Sequence, residues 1–220
     1  MTRGGKEYLQ PRVSSIKMIA IIDYGMGNIH SVQKALEIMG GECRLTNQPE
    51  AIRAAEKIVL PGVGAFADAM QELEKQGLIQ VLLEQVKGGK PFLGICLGMQ
   101  LLFAESEESK INKGLGLFAG TVKRFKNNDG LKVPHMGWNQ LLIKDPVCPL
   151  LKDIPDKSYV YFCHSYYPVP AKGSIIGAST EYGVEFASLI YKDNAYGVQF
   201  HPEKSQKIGL KMIENFINLC

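Results

Sequence analysis

Met18 to Ile22 is an unbroken apolar run that stops at the polar Asp23. Apolar residues without polar alternation predict a strand covered on both faces, as in a parallel sheet. Tyr24 to Asn28 follows as a Gly-rich turn. Ile29 to Met39 has helical spacing and stops at Gly40-Gly41. Cys43 to Thr46 predicts a short strand and Pro49 to Ala55 a short helix. Ile58-Val59-Leu60 is the next buried strand, and it runs into Pro61-Gly62-Val63-Gly64, which the pattern assigns to a loop. Helical patterns cover Phe66 to Gln76 and Leu78 to Lys87. Pro91 to Ile95 predicts a strand and Leu97 to Ala104 a helix.

Alternating strands and helices predict an α/β fold with a mostly parallel central sheet and flanking helices. The second half is richer in strands, predicted over Thr121 to Phe125, Tyr159 to Cys163, Ser174 to Thr180, Ala187 to Tyr191 and Tyr196 to Phe200. Ser205 to Leu219 carries the spacing of an amphipathic closing helix. No linker divides the chain and no repeat recurs, so residues 17–220 read as a single domain. Residues 1–16 differ: they are polar, hold Gly4-Gly5 and show no period. They lack the apolar core of a secretory signal and read as a flexible extension or a tag, with Lys17 at the edge of the folded domain.

Composition narrows the function. The 220 residues suffice for one sizeable core, and the net charge of +3 is too small to make nucleic acid the main ligand. No apolar stretch is long enough to span a bilayer, so no membrane partner is expected. The five cysteines are scattered, odd in number and form no CxxC pair. That points to a reducing compartment, the cytoplasm, and away from disulfides or a metal site. Gly25 and Gly27 begin a dinucleotide fingerprint, but His30 stands where its third glycine belongs. The segment reads as a tight turn, and no cofactor is expected.

Gly94-Ile95-Cys96-Leu97-Gly98 places a reactive residue between glycines at a predicted strand-to-helix junction. This is a nucleophile elbow with cysteine in place of serine. The helix expected from Leu97 would aim its amides at the sulfur, favouring thiolate and an oxyanion. A lone cysteine is more often a small core residue, but a core cysteine does not need two glycines around it. A thiolate needs a base, and the base an orienting group. His201 ends the last predicted strand, and Glu203 follows across Pro202, so an extended segment would point both side chains the same way. Pro61-Gly62-Val63-Gly64 also leaves a buried strand. Its Val63 N–H, freed by Gly62 and Gly64, is read as an oxyanion donor beside that of Leu97. His30 is read as solvated, His135 and His164 lie near loops and remain open between binding and packing, and Glu105 to Lys110 reads as a solvated charge run.

Pro61 to Gly64, Gly94 to Gln100 and His201-Pro202-Glu203 together resemble the class I (triad) glutamine amidotransferases, in order and rough spacing, from Lys17 to Cys220. The resemblance implies a flavodoxin-like α/β fold. It implies that Cys96 attacks the side-chain amide of glutamine, with His201 passing the proton to departing ammonia and water hydrolysing the thioester. Gly62, Gln100, Ser165 and Tyr166 would hold the glutamine. Ile22 to Asn28, Val133 to Asn139 and Gly197 to Ser205 look like a member that works in histidine biosynthesis as a heterodimer with a cyclase subunit, a (β/α)8 barrel. Ammonia protonates in water, so its transfer needs a sealed contact, and this chain is too short to add a barrel of its own. Met136, Trp138 and Asn139, in a Gly-flanked loop, and Lys204 would form that contact. By composition alone Trp138 fits a core equally well. Other class I amidotransferases, a cysteine hydrolase using the same elbow, and an inactive binding module are the alternatives.

Overall fold

A computed structural model describes residues 18–109, 113–126 and 130–220. The predicted extension, Lys17 and Lys110 lie outside the described residues. The first half alternates as its pattern predicts: β1 (Met18–Ile22), α1 (Ile29–Ile38), β2 (Glu42–Thr46), α2 (Pro49–Ala54), β3 (Lys57–Gly62), α3 (Phe66–Lys75), α4 (Leu78–Lys87) and β4 (Phe92–Cys96). Every residue of β3 and β4 is buried, the reason their sequences show no polar alternation. Ile19, Ile21 and Val59 face one apolar cluster with Leu36 of α1, while Ala20, Ile22 and Ile58 face a second with Phe66 and Leu73 of α3 and Leu82 of α4. Each large side chain so covered contributes about 1.5–3 kcal/mol.

Two elements differ from the pattern. Pro61 and Gly62 belong to β3, paired in register with Ile95 and Cys96. The helix expected over Leu97 to Ala104 is a single turn, α5 (Leu97–Gln100). Its continuation is drawn away because the carbonyls of Leu101 and Leu102 accept the N–H groups of Leu115 and Phe118. The chain becomes β5 (Phe103–Ser106), parallel to β6 (Phe118–Arg124). Non-local pairing overrides local helical spacing here.

The remaining elements are β7 (His135–Gln140), β8 (Leu142–Ile143), β9 (Tyr159–His164), β10 (Tyr166–Pro170), β11 (Ile176–Glu181), β12 (Glu185–Lys192), β13 (Ala195–Val198) and α6 (Gln206–Leu219), which packs Met212, Ile213 and Phe216 on the first cluster. The main sheet has eight strands in the order β2-β1-β3-β4-β13-β12-β11-β8. From β2 to β13 its pairs are parallel, and the last strands are antiparallel. The C-terminal ends of β3, β4 and β13 therefore open side by side on one edge, where ligands bind in such sheets. β7 pairs antiparallel with β9 in a separate ribbon beside that edge. Among the described residues no helix is long and apolar enough to cross a membrane.

Candidate active site

Cys96 closes β4 with φ 55° and ψ −110°, on the left-handed side that a residue with a Cβ avoids. The neighbouring glycines are what the crossing requires. A Cβ on Gly98 would lie 1.8 Å from the carbonyl oxygen of Leu60, and one on Gly94 would lie 2.6 Å from that of Gly98. The elbow is thus built as its sequence predicts. Its helix is not: one turn sums few peptide dipoles, so stabilisation of a thiolate falls to individual N–H donors.

β13 brings the rest. Val198 stands opposite Ile95 of β4, so Gln199 is carried level with Cys96 and His201 just beyond it. His201 Nδ1 lies 2.9 Å from Glu203 Oε1, and both side chains are almost wholly buried. The spacer is a 3₁₀ turn, not the expected extended segment, and it is this turn that folds Glu203 back onto the ring. With Nδ1 engaged, Nε2 is left for the sulfur. Burial pulls the imidazolium down, but hydrogen bonds to Cys96 and Glu203 and their charges outweigh it and raise His201 to about 10. His201 therefore holds its proton at neutral pH beside the sulfur. Tyr24, whose hydroxyl donates to the Pro61 carbonyl at 3.1 Å, is held neutral by burial and by the charge at Cys96.

A cavity of about 340 Å³ opens over this group. Val63, Gly64, Leu97, Gln100, Ser165, Tyr166 and Lys204 line it together with Cys96 and His201. Gly64 adopts φ +99°, which suits only glycine, and Val63 is half-exposed. Gly62 is not on this cavity. It walls a void of about 10 Å³ that Glu203 also lines, and a Cβ on it would lie 2.5 Å from the Tyr24 hydroxyl.

Glu108 lines the cavity although its charge run predicts a solvated loop. Its Oε2 accepts the Phe66 N–H at 2.8 Å, which holds a carboxylate where an ammonium group would seek one. Nothing in its local sequence marks it out, since its position depends on β5 pairing with β6. Among the described residues no group of His, Cys, Asp and Glu is arranged to hold a metal ion.

The hydrogen bonds beside the thiol have a single direction. Gln100 Nε2 donates to the Tyr166 carbonyl at 3.0 Å and to Gln199 Oε1 at 3.1 Å. A carbonyl can only accept, so Gln100 presents its amide nitrogen on this side, Gln199 meets it with oxygen, and Gln199 Nε2 faces Cys96 Sγ at 3.8 Å. Both amide hydrogens of Gln100 are then spent, which leaves its Oε1 for a substrate. Gln199 is fully buried.

The same carbonyl orders two histidines. His164 Nδ1 lies 2.8 Å from it and must donate; His164 Nε2 then accepts from His135 Nδ1 at 3.0 Å. His135 Nε2 accepts in turn from Asn139 Nδ2 at 3.2 Å. Both rings sit at strand ends beside loops, as expected, His135 opening β7 and His164 closing β9, and are paired across the ribbon. Burial lowers His135 to about 4, and burial with the neighbouring histidine charges lowers His164 to about 3, so both are neutral.

The β7 segment is also not the loop its glycines predict. Strand alternation sends Met136 and Trp138 outward, 61 % and 46 % exposed, while Asn139 turns its amide to His135 and to the carbonyl of Glu181. Trp138 pairs with Tyr161, whose ring lies 5.9 Å from Lys204 Nζ, so an outward face runs from β7 to the cavity rim. His30 is exposed, as predicted.

Residues 20–219 match the family model described as glutamine amidotransferase class-I. A protein of Syntrophotalea carbinolica named imidazole glycerol phosphate synthase subunit HisH is 48 % identical over 204 residues, 90 % of this chain and 98 % of that one. A protein of the same name from Desulfitobacterium hafniense is 53 % identical over 199 residues, 90 % of this chain and 93 % of that one. The PurLQS structure from Thermotoga maritima superposes with a TM-score of 0.71 at 18 % identity, covering 91 % of this chain and 97 % of that one, a likeness of fold.

Proposed function

The chain belongs to the class I glutamine amidotransferases, and from that premise we infer that it is the glutaminase subunit of imidazole glycerol phosphate synthase, in histidine biosynthesis. Relatives bearing that name match it nearly end to end at about half identity. The observation that carries the chemistry is His201, held between Cys96 and Glu203 at the floor of the cavity.

Glutamine enters the cavity with its α-ammonium toward Glu108 and Gln100 Oε1, flanked by Ser165 and Tyr166. Cys96, as thiolate, adds to the side-chain amide carbon. The N–H groups of Leu97 and Val63 take the oxyanion, the second after a peptide reorientation that Gly64 permits. His201 as imidazolium gives its proton to the departing ammonia, and a glutamyl thioester remains. Neutral His201 then draws a proton from water, which hydrolyses the thioester to glutamate. Glu203 keeps the imidazole in register throughout. Gly62, against Tyr24, sets the distance between β3 and the elbow.

Ammonia passes to a cyclase subunit seated on the Met136–Trp138 face, with Lys204 at the rim, in a heterodimer. All five thiols are unbridged, which fits the reducing cytoplasm. The test is glutamate formation from glutamine by the chain alone and mixed with the cyclase subunit and its nucleotide. A low rate alone, a large rise in the mixture and no turnover by Cys96→Ala are expected. Full turnover by Cys96→Ala, or no capture of the cyclase, overturns the reading.

A further inference from the structure

We propose that Gln199 is a positioning residue of the nucleophile: its amide donates a hydrogen to Cys96 Sγ, and the Tyr166 carbonyl fixes that donation through Gln100. The proposal rests on Cys96 being the nucleophile but adds a residue to which the triad assigns no part. Gln199 is completely buried, one residue past the end of β13, whose own residues are all buried. A buried amide belongs there only if its hydrogen bonds are met. They are met by Gln100 on one side and by sulfur on the other.

The need for such a donor follows from the one-turn α5. Few dipoles add up behind Cys96, so discrete N–H groups decide whether the sulfur carries charge. The contact at 3.8 Å is long for a neutral thiol and draws in once the sulfur ionises. Gln199 has no second orientation, because turning its amide would set nitrogen against the Gln100 nitrogen and oxygen against sulfur. The other polar groups around Cys96 are the Cys163 carbonyl, which accepts the Cys96 S–H at 3.9 Å, the Tyr24 phenol after β1, His164 on β9, and His201 with Glu203 behind it; Cys163, Glu108 and Lys204 also line the cavity. Gln199 donates to the sulfur and does not titrate, so its contribution is separable from theirs by pH.

The experiment is alkylation of Cys96 by iodoacetamide across pH 5 to 10, followed at the Cys96 peptide by mass spectrometry, on the full chain without glutamine. Removing the donor in Gln199→Met should raise the midpoint by about one unit, a tenfold fall in ionisation. Gln199→Glu, nearly the same shape with charge facing sulfur, should raise it further. Gln100→Met leaves Gln199 in place but frees it to turn, and should give an intermediate rise. A merely structural glutamine predicts lowered urea midpoints with unmoved alkylation midpoints in whichever of these variants fold, and that result overturns the proposal. Because the readout needs no turnover, failure of the wild-type chain to split glutamine would count against the proposed function alone.

Discussion

The hydroxyl of Ser205 lies 2.6 Å from the carbonyl oxygen of His201. It donates there and accepts the N–H of Tyr161 at 3.0 Å, while the N–H of His201 bonds to the Tyr161 carbonyl at 2.9 Å. The backbone of the proposed base is thus strapped to β9. Ser205→Ala leaves the Tyr161 N–H unmet, while the His201 carbonyl keeps only the Lys204 N–H at 3.0 Å, which costs about 1–3 kcal/mol. Urea unfolding should show that loss. Glutamine turnover should show a lower kcat with little change in KM, because the imidazole loosens while the cavity stays.

Glu203→Gln removes the charge behind His201 but keeps an acceptor for its Nδ1. The His201 pKa, raised to about 10, should then fall. A group raised above its ordinary 6.5 contributes stability that is fully present below that value and is lost as pH rises through about 10. The variant narrows that window. The alkaline limb of kcat/KM, where His201 no longer has a proton for ammonia, should move to lower pH, and an unmoved limb would separate His201 from that limb.

The buried histidine pair gives the opposite sign. His135 and His164 sit at about 4 and about 3 in the folded chain and near 6.5 once unfolded. The unfolded chain binds more protons between those limits, so their stability is present above about 6.5 and is lost on acidification. At pH 5 the loss is on the order of 2 kcal/mol for each ring. Urea midpoints from pH 7 to 4.5 should fall accordingly, and His135→Gln, which can still donate to His164, should reduce the slope.

Glycine substitutions separate crowding from conformation. Gly98→Ala forces a Cβ to within 1.8 Å of the Leu60 carbonyl, a backbone atom in the middle of the sheet. It should destabilise by about 3 kcal/mol or more, or prevent folding. Gly25→Ala meets nothing within 4 Å and strains only its φ of +86°. Its cost should be about 1 kcal/mol, read as a small drop in Tm.

Trp138 is large, apolar and 46 % exposed, next to the more exposed Met136. As an anchor for the cyclase subunit it should carry about 2–4 kcal/mol of binding. Trp138→Ala should raise Kd by at least tenfold in titration with the cyclase while the Tm of the free chain stays put. An unchanged Kd would move the interface elsewhere.

The parallel half of the fold was legible because β1, β3 and β4 are buried on both faces and written largely as apolar runs. The elbow was legible for a similar reason: Gly94 and Gly98 record a crossing that tolerates no Cβ. What could not be read is whatever depends on which distant segments become neighbours. Leu97 to Ala104 has helical spacing, yet the N–H groups of Leu115 and Phe118 end the helix after one turn. Glu108 looks like one more charge in a polar stretch until β5 meets β6. Gln199 sits in plain view two residues before His201, and only the pairing of β13 with β4 sets it against sulfur. Asn139 belongs to the outward segment by position, but strand alternation turns its amide inward.

The Tyr166 carbonyl receives hydrogens from His164 and from Gln100, and it is a main-chain atom. No change of side chain at position 166 can delete it or turn it into a donor. The polarity of the site is therefore carried by the pairing of Tyr166 with Arg124 across β10 and β6, as a property of the scaffold. An engineer could vary the tyrosine ring to reshape the pocket and keep the wiring. Slipping β10 by a single residue would reverse the alternation of its carbonyls and scramble the wiring with every side chain intact.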